Sequence, residues 1–213
     1  VTMATEAGND FRYLAGATDV MVNRRQGNEE SFCLIDLCGI DELKQVAVKE
    51  NFLSIGSLVR LDVLKKHKAI VKEFPVLIEA ADTVGSPLIR KSATLGGNIL
   101  CENRCIYYNQ SEWWRDAVGY CLKCEGHICI ATGSKKLCYS EFVSDTAPAL
   151  ISMDAQIEVA GHNGEYILKL EDIYTVDGVC PRNLENSAVI ESILLPLQRE
   201  FRSSFLKLRQ RQS

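Results

Sequence analysis

No apolar run in this sequence approaches the roughly 20 residues that a membrane-crossing helix needs. Its opening residues, VTMATEAGND, lack the charged-then-apolar pattern of a secretion signal. The expectation that follows is a cytoplasmic, reducing setting with no membrane partner. Nor is there an excess of basic charge. The 24 Lys and Arg residues are set against 28 Asp and Glu, spread along the chain for a net charge of -4, and leave no footprint for a nucleic acid. No GxGxxG is present and no loop ends in Gly-Lys-Ser/Thr, which removes the Rossmann and P-loop readings. Internal repeats and low-complexity segments are missing too. So is any nucleophile set beside a base, so substrate chemistry is not expected on this chain.

What remains reads as a folded α+β protein. At 213 residues and 46% hydrophobic, the chain can bury a real core as one large domain or two small ones. FRYLAGATDVMVNRRQG, from Phe11, gives a strand, a small-residue turn and a helix, and CLIDL from Cys33 has the length of a buried strand. Val46 to Lys49 and Phe52 to Ile55 form a hairpin around Glu50 and Asn51. Leu61 to Lys66 and Phe74 to Thr83 carry helical spacing. Farther on, TAPALISM reads as a helix with Asp145 or Thr146 near its start. AQIEVA and EYILKL form a second hairpin, LEDIYTV a short helix, and AVIESILLP a strand stopped by Pro196. The layout is a unit over residues 1–84 and a second over 85–213, the latter interrupted by a segment at about 101–138.

That segment, CENRCIYYNQSEWWRDAVGYCLKCEGHICIATGSKKLC, holds six of the nine cysteines and shows no sustained apolar periodicity. A loop so long inside a compact domain needs something to hold it, and thiolates on a metal would do so. Cys101, Cys105, Cys121 and Cys124 could make a four-thiolate zinc site, and several four-cysteine subsets could hold an iron-sulfur cluster; spacing alone does not choose. Cys121 and Cys124 form a CxxC, but no helix follows in the thioredoxin manner. His127 reads as a solvated loop histidine. Cys33 and Cys38 read as buried small hydrophobes, and Cys180 as the same or an idle loop thiol.

Two small-residue loops call for an explanation. Leu14-Ala15-Gly16-Ala17-Thr18-Asp19 joins a strand to a helix, where free backbone N–H groups can hold a phosphate. Thr94-Leu95-Gly96-Gly97-Asn98 is a second such loop, with paired glycines that let the backbone approach a ligand.

LAGATDV, TLGGN, SDTAPAL, AVIESILLP and the closing FRSSFLKLRQR together resemble the FAD-binding subunit or domain of the xanthine dehydrogenase family of molybdenum hydroxylases, over nearly the whole chain. The resemblance implies the two-subdomain FAD-binding fold of the vanillyl-alcohol-oxidase and molybdenum-hydroxylase flavoproteins, with a C-terminal flavoprotein domain largely absent. Most members pass from the Gly-Gly-Asn loop almost directly into the Ser-Asp segment. The cysteine-rich insertion at that junction is similar to the one in beta subunits of 4-hydroxybenzoyl-CoA reductases, which carries a 4Fe-4S cluster. Cys105, Cys121, Cys129 and Cys138, separated by 16, 8 and 9, best match its ligands, leaving Cys101 and Cys124 as extras.

For the flavin site, the resemblance implies Tyr13, Leu14, Ala15, Gly16, Ala17, Thr18, Asp19 and Val20 at the pyrophosphate. Thr94, Leu95, Gly96, Gly97 and Asn98 would form a second loop against the cofactor. Asp145 would bond the ribityl chain or ring, with Ile190 and Lys207 nearby. Ala17 stands where the family usually has a second glycine, so a positive φ there would carry strain. The function implied is electron transfer between the cluster and FAD. Implied partners are a molybdopterin-binding large subunit, a 2Fe-2S small subunit and a ferredoxin-like donor.

Overall fold

The structure is a computed structural model and describes residues 1–8, 10–197 and 202–209. It opens with helix α1 (Thr2–Glu6), strand β1 (Phe11–Leu14), helix α2 (Val20–Arg25) and strand β2 (Cys33–Asp36). β1 and β2 pair in parallel, with Phe11 opposite Cys33 and Leu14 opposite Asp36. Parallel neighbours need a crossover, and α2 with its flanking loops supplies it. A small core of Ala4, Phe11 and Ile35 holds this unit together.

A hairpin of β3 (Val46–Lys49) and β4 (Phe52–Gly56) comes next, with Glu50 in the turn at φ 50. Short helices follow: α3 (Leu61–Leu64), α4 (Lys68–Glu73), α5 (Pro75–Asp82), α6 (Pro87–Arg90) and α7 (Leu95–Ile99). Pro75 sits in the first turn of α5, where a missing N–H costs nothing, and Val76, Leu77, Ala80 and Ala81 form its buried face. The insertion contains α8 (Glu112–Val118), and after it come α9 (Thr146–Ser152), β5 (Gln156–Gly161), β6 (Gly164–Lys169) and β7 (Val189–Pro196). Of the expected LEDIYTV helix, only Leu170–Ile173 is helical, as a 3-10 turn.

The five later strands form one antiparallel sheet in the order β3-β4-β7-β5-β6, so strands from either side of residue 84 share it. Alternation sets its faces. Ile55, Ile157, Val159 and Ile193 point into the main core, against Leu64, Leu77, Leu95, Ile99 and Leu150 from the helices. A polar row crosses the other face: Lys49 to Glu158 at 2.7 Å, Ser192 to Glu158 at 2.5 Å and Ser54 to Ser192 at 3.0 Å.

The insertion hangs from a narrow neck. Arg104 and Glu141 exchange two backbone hydrogen bonds, at 2.9 and 2.7 Å, which bring its two ends together. Inside it, α8 starts at Ser111, whose hydroxyl accepts from the Trp114 amide, and ends at Gly119 with φ 100. This helix escapes a reading of apolar periodicity because it is inverted: Trp113 is 78% exposed and Arg115 only 4%. The Arg115 guanidinium donates to the carbonyls of Gln26, Gly27 and Gln110 and to the side chains of Asn28 and Glu112. It thereby ties the insertion to the loop after α2.

Candidate functional site

A cleft of about 740 Å³ runs between the β1–α2 loop, the N-terminal part of α7, the start of β7 and the base of the insertion. Its floor depends on close backbone approach. A Cβ on Gly16 would lie 2.0 Å from the Ser92 carbonyl oxygen, and one on Gly96 would lie 2.7 Å from the Ser57 Cβ. No side chain fits at either place.

The two loops differ in the state of their amides. Among the described residues, the N–H groups of Gly16, Ala17, Thr18 and Asp19 have no acceptor in the protein. Four successive unpaired amides in a turn make a concave donor set suited to an anion. Ala17 bends this turn with φ 59, in the left-handed region. The second stretch corrects the sequence reading. Thr94 to Asn98 is no open loop but the capped first turn of α7, and its amides are spent: Leu95 N–H on Val59 O at 2.9 Å, Gly96 on Ser57 O at 2.8 Å, Gly97 on Thr94 Oγ1 at 3.1 Å and Asn98 on Thr94 O at 2.9 Å. Its glycines give space and not donors.

Of the residues singled out from the sequence, Tyr13, Ala15, Gly16, Ala17, Thr18, Asp19 and Val20 line the cleft, as do Thr94, Gly96, Gly97, Asn98 and Ile190. Leu14 and Leu95 do not; Leu95 is fully buried in the main core. The Tyr13 hydroxyl donates to the Ser187 carbonyl at 2.7 Å. Asp145 and Lys207 also stand off the cleft wall, joined to each other at 2.6 Å. Phe201, Gln210 and Arg211 of the closing FRSSFLKLRQR segment lie outside the described residues.

The charged base of the cleft was not foreseen, because residues of the insertion drew notice only for their thiols. Lys123 reaches Glu102 at 2.5 Å and lies 4.8 Å from the Tyr108 ring centroid, while Arg182 flanks the same carboxylate at 3.7 Å. Burial pushes the Glu102 carboxyl up, but Lys123 and then Arg182 outweigh it and hold it below the usual range. At the opposite wall Arg12 pairs with Glu29 at 2.5 Å.

All nine cysteines are free thiols. Cys121, Cys129 and Cys138 are buried and Cys105 is half-buried. Cys38 is exposed, not buried as the sequence suggested, because β2 ends at Asp36 and leaves it in the following turn, its thiol on the Ala15 carbonyl at 3.2 Å. Cys180 is exposed as well. Burial and then Asp19 push the Cys101 thiol up to about 12. At Cys129 burial is outweighed by the Thr132 hydroxyl and by the amides of Tyr139, Thr132 and Ala131, which lower its pKa and favour a thiolate.

Among the described residues no three His, Cys, Asp or Glu side chains gather around a point as a single metal ion requires, so the zinc set of Cys101, Cys105, Cys121 and Cys124 is not assembled. A four-iron cluster sets a different demand, since each thiolate binds its own iron and the sulfurs stand farther apart. Cys105, Cys121, Cys129 and Cys138 are free thiols, three of them buried, and Cys129 is supplied with N–H donors.

Comparison with known proteins agrees with this geometry. The family model for the FAD binding domain in molybdopterin dehydrogenase matches residues 1–198. The chain is 25% identical to the nicotinate dehydrogenase FAD-subunit of Eubacterium barkeri over 202 residues, covering 94% of this chain and 55% of that protein. It is 30% identical to the aldehyde oxidoreductase FAD-binding subunit PaoB of Escherichia coli (strain K12) over 193 residues, covering 87% and 58%. In fold it is similar to a chain of the carbon monoxide dehydrogenase of Hydrogenophaga pseudoflava that lacks the Mo-pyranopterin moiety, with a TM-score of 0.72 at 18% identity over 99% of this chain and 60% of that one. The chain thus spans between half and two thirds of the length of these relatives. With the family model covering all but the last residues, and a cleft built around unpaired amides beneath it, the chain belongs to the family of FAD-binding domains of molybdopterin dehydrogenases.

Proposed function

We propose that this chain is the electron-transfer flavoprotein subunit of a molybdenum-containing aromatic acyl-CoA reductase of the 4-hydroxybenzoyl-CoA reductase type, relaying electrons between a 4Fe-4S cluster and FAD. Its partners on this reading are a molybdopterin-binding large subunit, a 2Fe-2S small subunit and a ferredoxin-like donor. The observation that carries the flavin part is the run of unpaired amides from Gly16 to Asp19 on the cleft wall. The reductase type is supported by the cysteine separations of 16, 8 and 9 in the insertion.

FAD when bound supplies a carrier that handles one or two electrons, and a 4Fe-4S cluster one that handles a single electron. The chain's own residues bind, orient and exclude water. The Gly16 to Asp19 amides take the diphosphate, while Gly96 and Gly97 keep the opposite wall low enough for the cofactor to enter. Ile190 lines the cleft and would supply an apolar contact, whereas Asp145 and Lys207, paired with each other off the cleft wall, are given no contact with the cofactor. Cys105, Cys121, Cys129 and Cys138 would hold the cluster.

A second reading, the FAD subunit of a heterocycle or aldehyde dehydrogenase, is favoured by the names of the nicotinate and aldehyde relatives. One experiment addresses both. The full-length protein, reduced by dithionite or a low-potential ferredoxin, is expected to pass electrons to an artificial dye and to leave 4-hydroxybenzoyl-CoA untouched until molybdenum and 2Fe-2S partners are added. Conversion by this protein alone overturns the relay. A reconstituted complex that oxidises nicotinate or an aldehyde and ignores the acyl-CoA selects the second reading. In the same preparation Ser at Cys105, Cys121, Cys129 or Cys138 should lower bound iron, whereas Ser at Cys101 or Cys124 should not. Iron lost by Cys124→Ser and kept by Cys138→Ser refutes the ligand assignment.

A further inference from the structure

The amide loop has a charge problem. It contains no Lys or Arg, and its last residue, Asp19, presents a carboxylate on the wall where a diphosphate would lie. Like charges brought together in a partly buried site repel strongly. The cations that line the cleft are committed elsewhere: Arg12 to Glu29, and Lys123 and Arg182 to Glu102. Asp19 is met instead by Arg104, which comes from the cysteine-rich insertion and sits next to Cys105 in sequence. The contact is a closed knot. The Arg104 Nη2 donates to Asp19 Oδ1, its Nη1 donates to Asn23 Oδ1 at 2.9 Å, and Asp19 Oδ2 accepts from the Glu102 amide at 3.0 Å and from Asn23 Nδ2 at 3.3 Å. Asn23 is buried and both charged side chains are largely covered, so solvent screens the pair only in part.

We infer that Arg104 is a positioning residue for the flavin phosphates, supplied by the insertion: it neutralises Asp19 and holds that carboxylate aside so that the loop amides can accept a dianion. The inference rests on the flavin reading above and deepens it. The insertion has a task at the flavin site in addition to carrying cysteines, and a chain that folded without Arg104 in place would bind the phosphates of FAD poorly even with its amide loop intact. The ring of FAD lies outside the reach of this effect, because the repulsion removed is one between a carboxylate and a phosphate.

The test compares three probes, FAD, ADP and riboflavin, on the full-length protein stripped of flavin. Arg104→Gln should weaken FAD and ADP by about 10-fold to 100-fold, the range of a charge-assisted hydrogen bond, and leave riboflavin, which has no phosphate, within about twofold. Arg104→Lys keeps the charge and should hold FAD within about threefold. Adding Asp19→Asn to Arg104→Gln removes the unneutralised carboxylate and should restore most of the FAD affinity. Raised salt should narrow the gap between parent and Arg104→Gln. Equal losses for riboflavin and FAD, or a double variant no better than Arg104→Gln, would overturn the inference by showing that Arg104 only holds the fold together. A parent that takes up no FAD fails earlier and separately, and sinks the flavin reading along with this one.

Discussion

Ala17 shows how one side chain can set a local cost. A left-handed φ of 59 pushes its Cβ toward the following carbonyl, at roughly 1–2 kcal/mol for an L-residue. Replacing it by Gly removes that strain but gives the unfolded chain more freedom, which opposes the gain by about 0.4–1 kcal/mol. Ala17→Gly is therefore expected to raise stability by up to about 1.6 kcal/mol, at roughly 2–4 °C in Tm for each kcal/mol in a chain of this size. A lower Tm in a thermal melt would contradict the strained turn. This strain was foreshadowed by the resemblance, in which a glycine usually stands where this chain has Ala17, and not by the composition of the loop itself. Arg115 was not. A buried arginine bonded to main-chain carbonyls and to the side chains of Asn28 and Glu112 leaves no trace in a hydrophobicity pattern, and only coordinates reveal that the 26–28 loop is its ligand. Cys38 misled for a simpler reason: it follows an apolar run, but two residues beyond the strand's end.

At the scale of elements, α7 is instructive because its composition argues against a helix. Leu95-Gly96-Gly97-Asn98 has low helix propensity, about 1 kcal/mol lost at each glycine relative to alanine. Two features at its ends offset this. Thr94 caps the first turn, and the Asn98 side chain reaches across to the start of α9, where its Oδ1 accepts from Ser144 Oγ at 3.0 Å, Thr146 N at 3.2 Å and Thr146 Oγ1 at 2.6 Å. Thr146 is fully buried, so its donors have no water to turn to. Asn98→Ala should cost about 2–3 kcal/mol in a urea unfolding titration, because unsatisfied buried donors forfeit about 1–3 kcal/mol each and the hydroxyls can partly reorient. A cost under about 0.5 kcal/mol would show that the two helices do not depend on this residue. The hairpins and the long β7 strand were readable from alternation and turn residues. The tertiary tether that turns Thr-Leu-Gly-Gly-Asn into a helix was not, because it joins residues more than forty positions apart.

For the whole molecule, the polar row on the outer sheet face links β3, β5, β7 and β4 through Lys49, Glu158, Ser192 and Ser54. Burial pushes the Glu158 carboxyl up, but its bonds from Lys49 and Ser192 prevail and hold it below its ordinary value. A carboxylate depressed on folding stabilises the native state above its unfolded pKa, near 4.3 for Glu, and that contribution is lost as the pH falls through the lower folded value. Glu158→Gln is thus expected to cost about 0.5 kcal/mol at pH 7, a partly exposed pair being worth no more, with the difference from the parent shrinking as the pH falls through the lowered folded value. A difference that stays constant from pH 7 to pH 3 would rule out the titration as its source. The sheet order, which sets β7 at the centre between the two hairpins, could not be deduced from strand patterns that say nothing about neighbours. The neck at Arg104 and Glu141 bears on how such a chain could arise. Because the two backbones already touch there, a shorter link could rejoin the same two points without moving a strand, and a longer one could be spliced in at a loop-closure cost that grows only with the logarithm of its length, even though Arg115 ties the present segment to the 26–28 loop. A fold with such a junction can take up or shed a whole segment in a single genetic step.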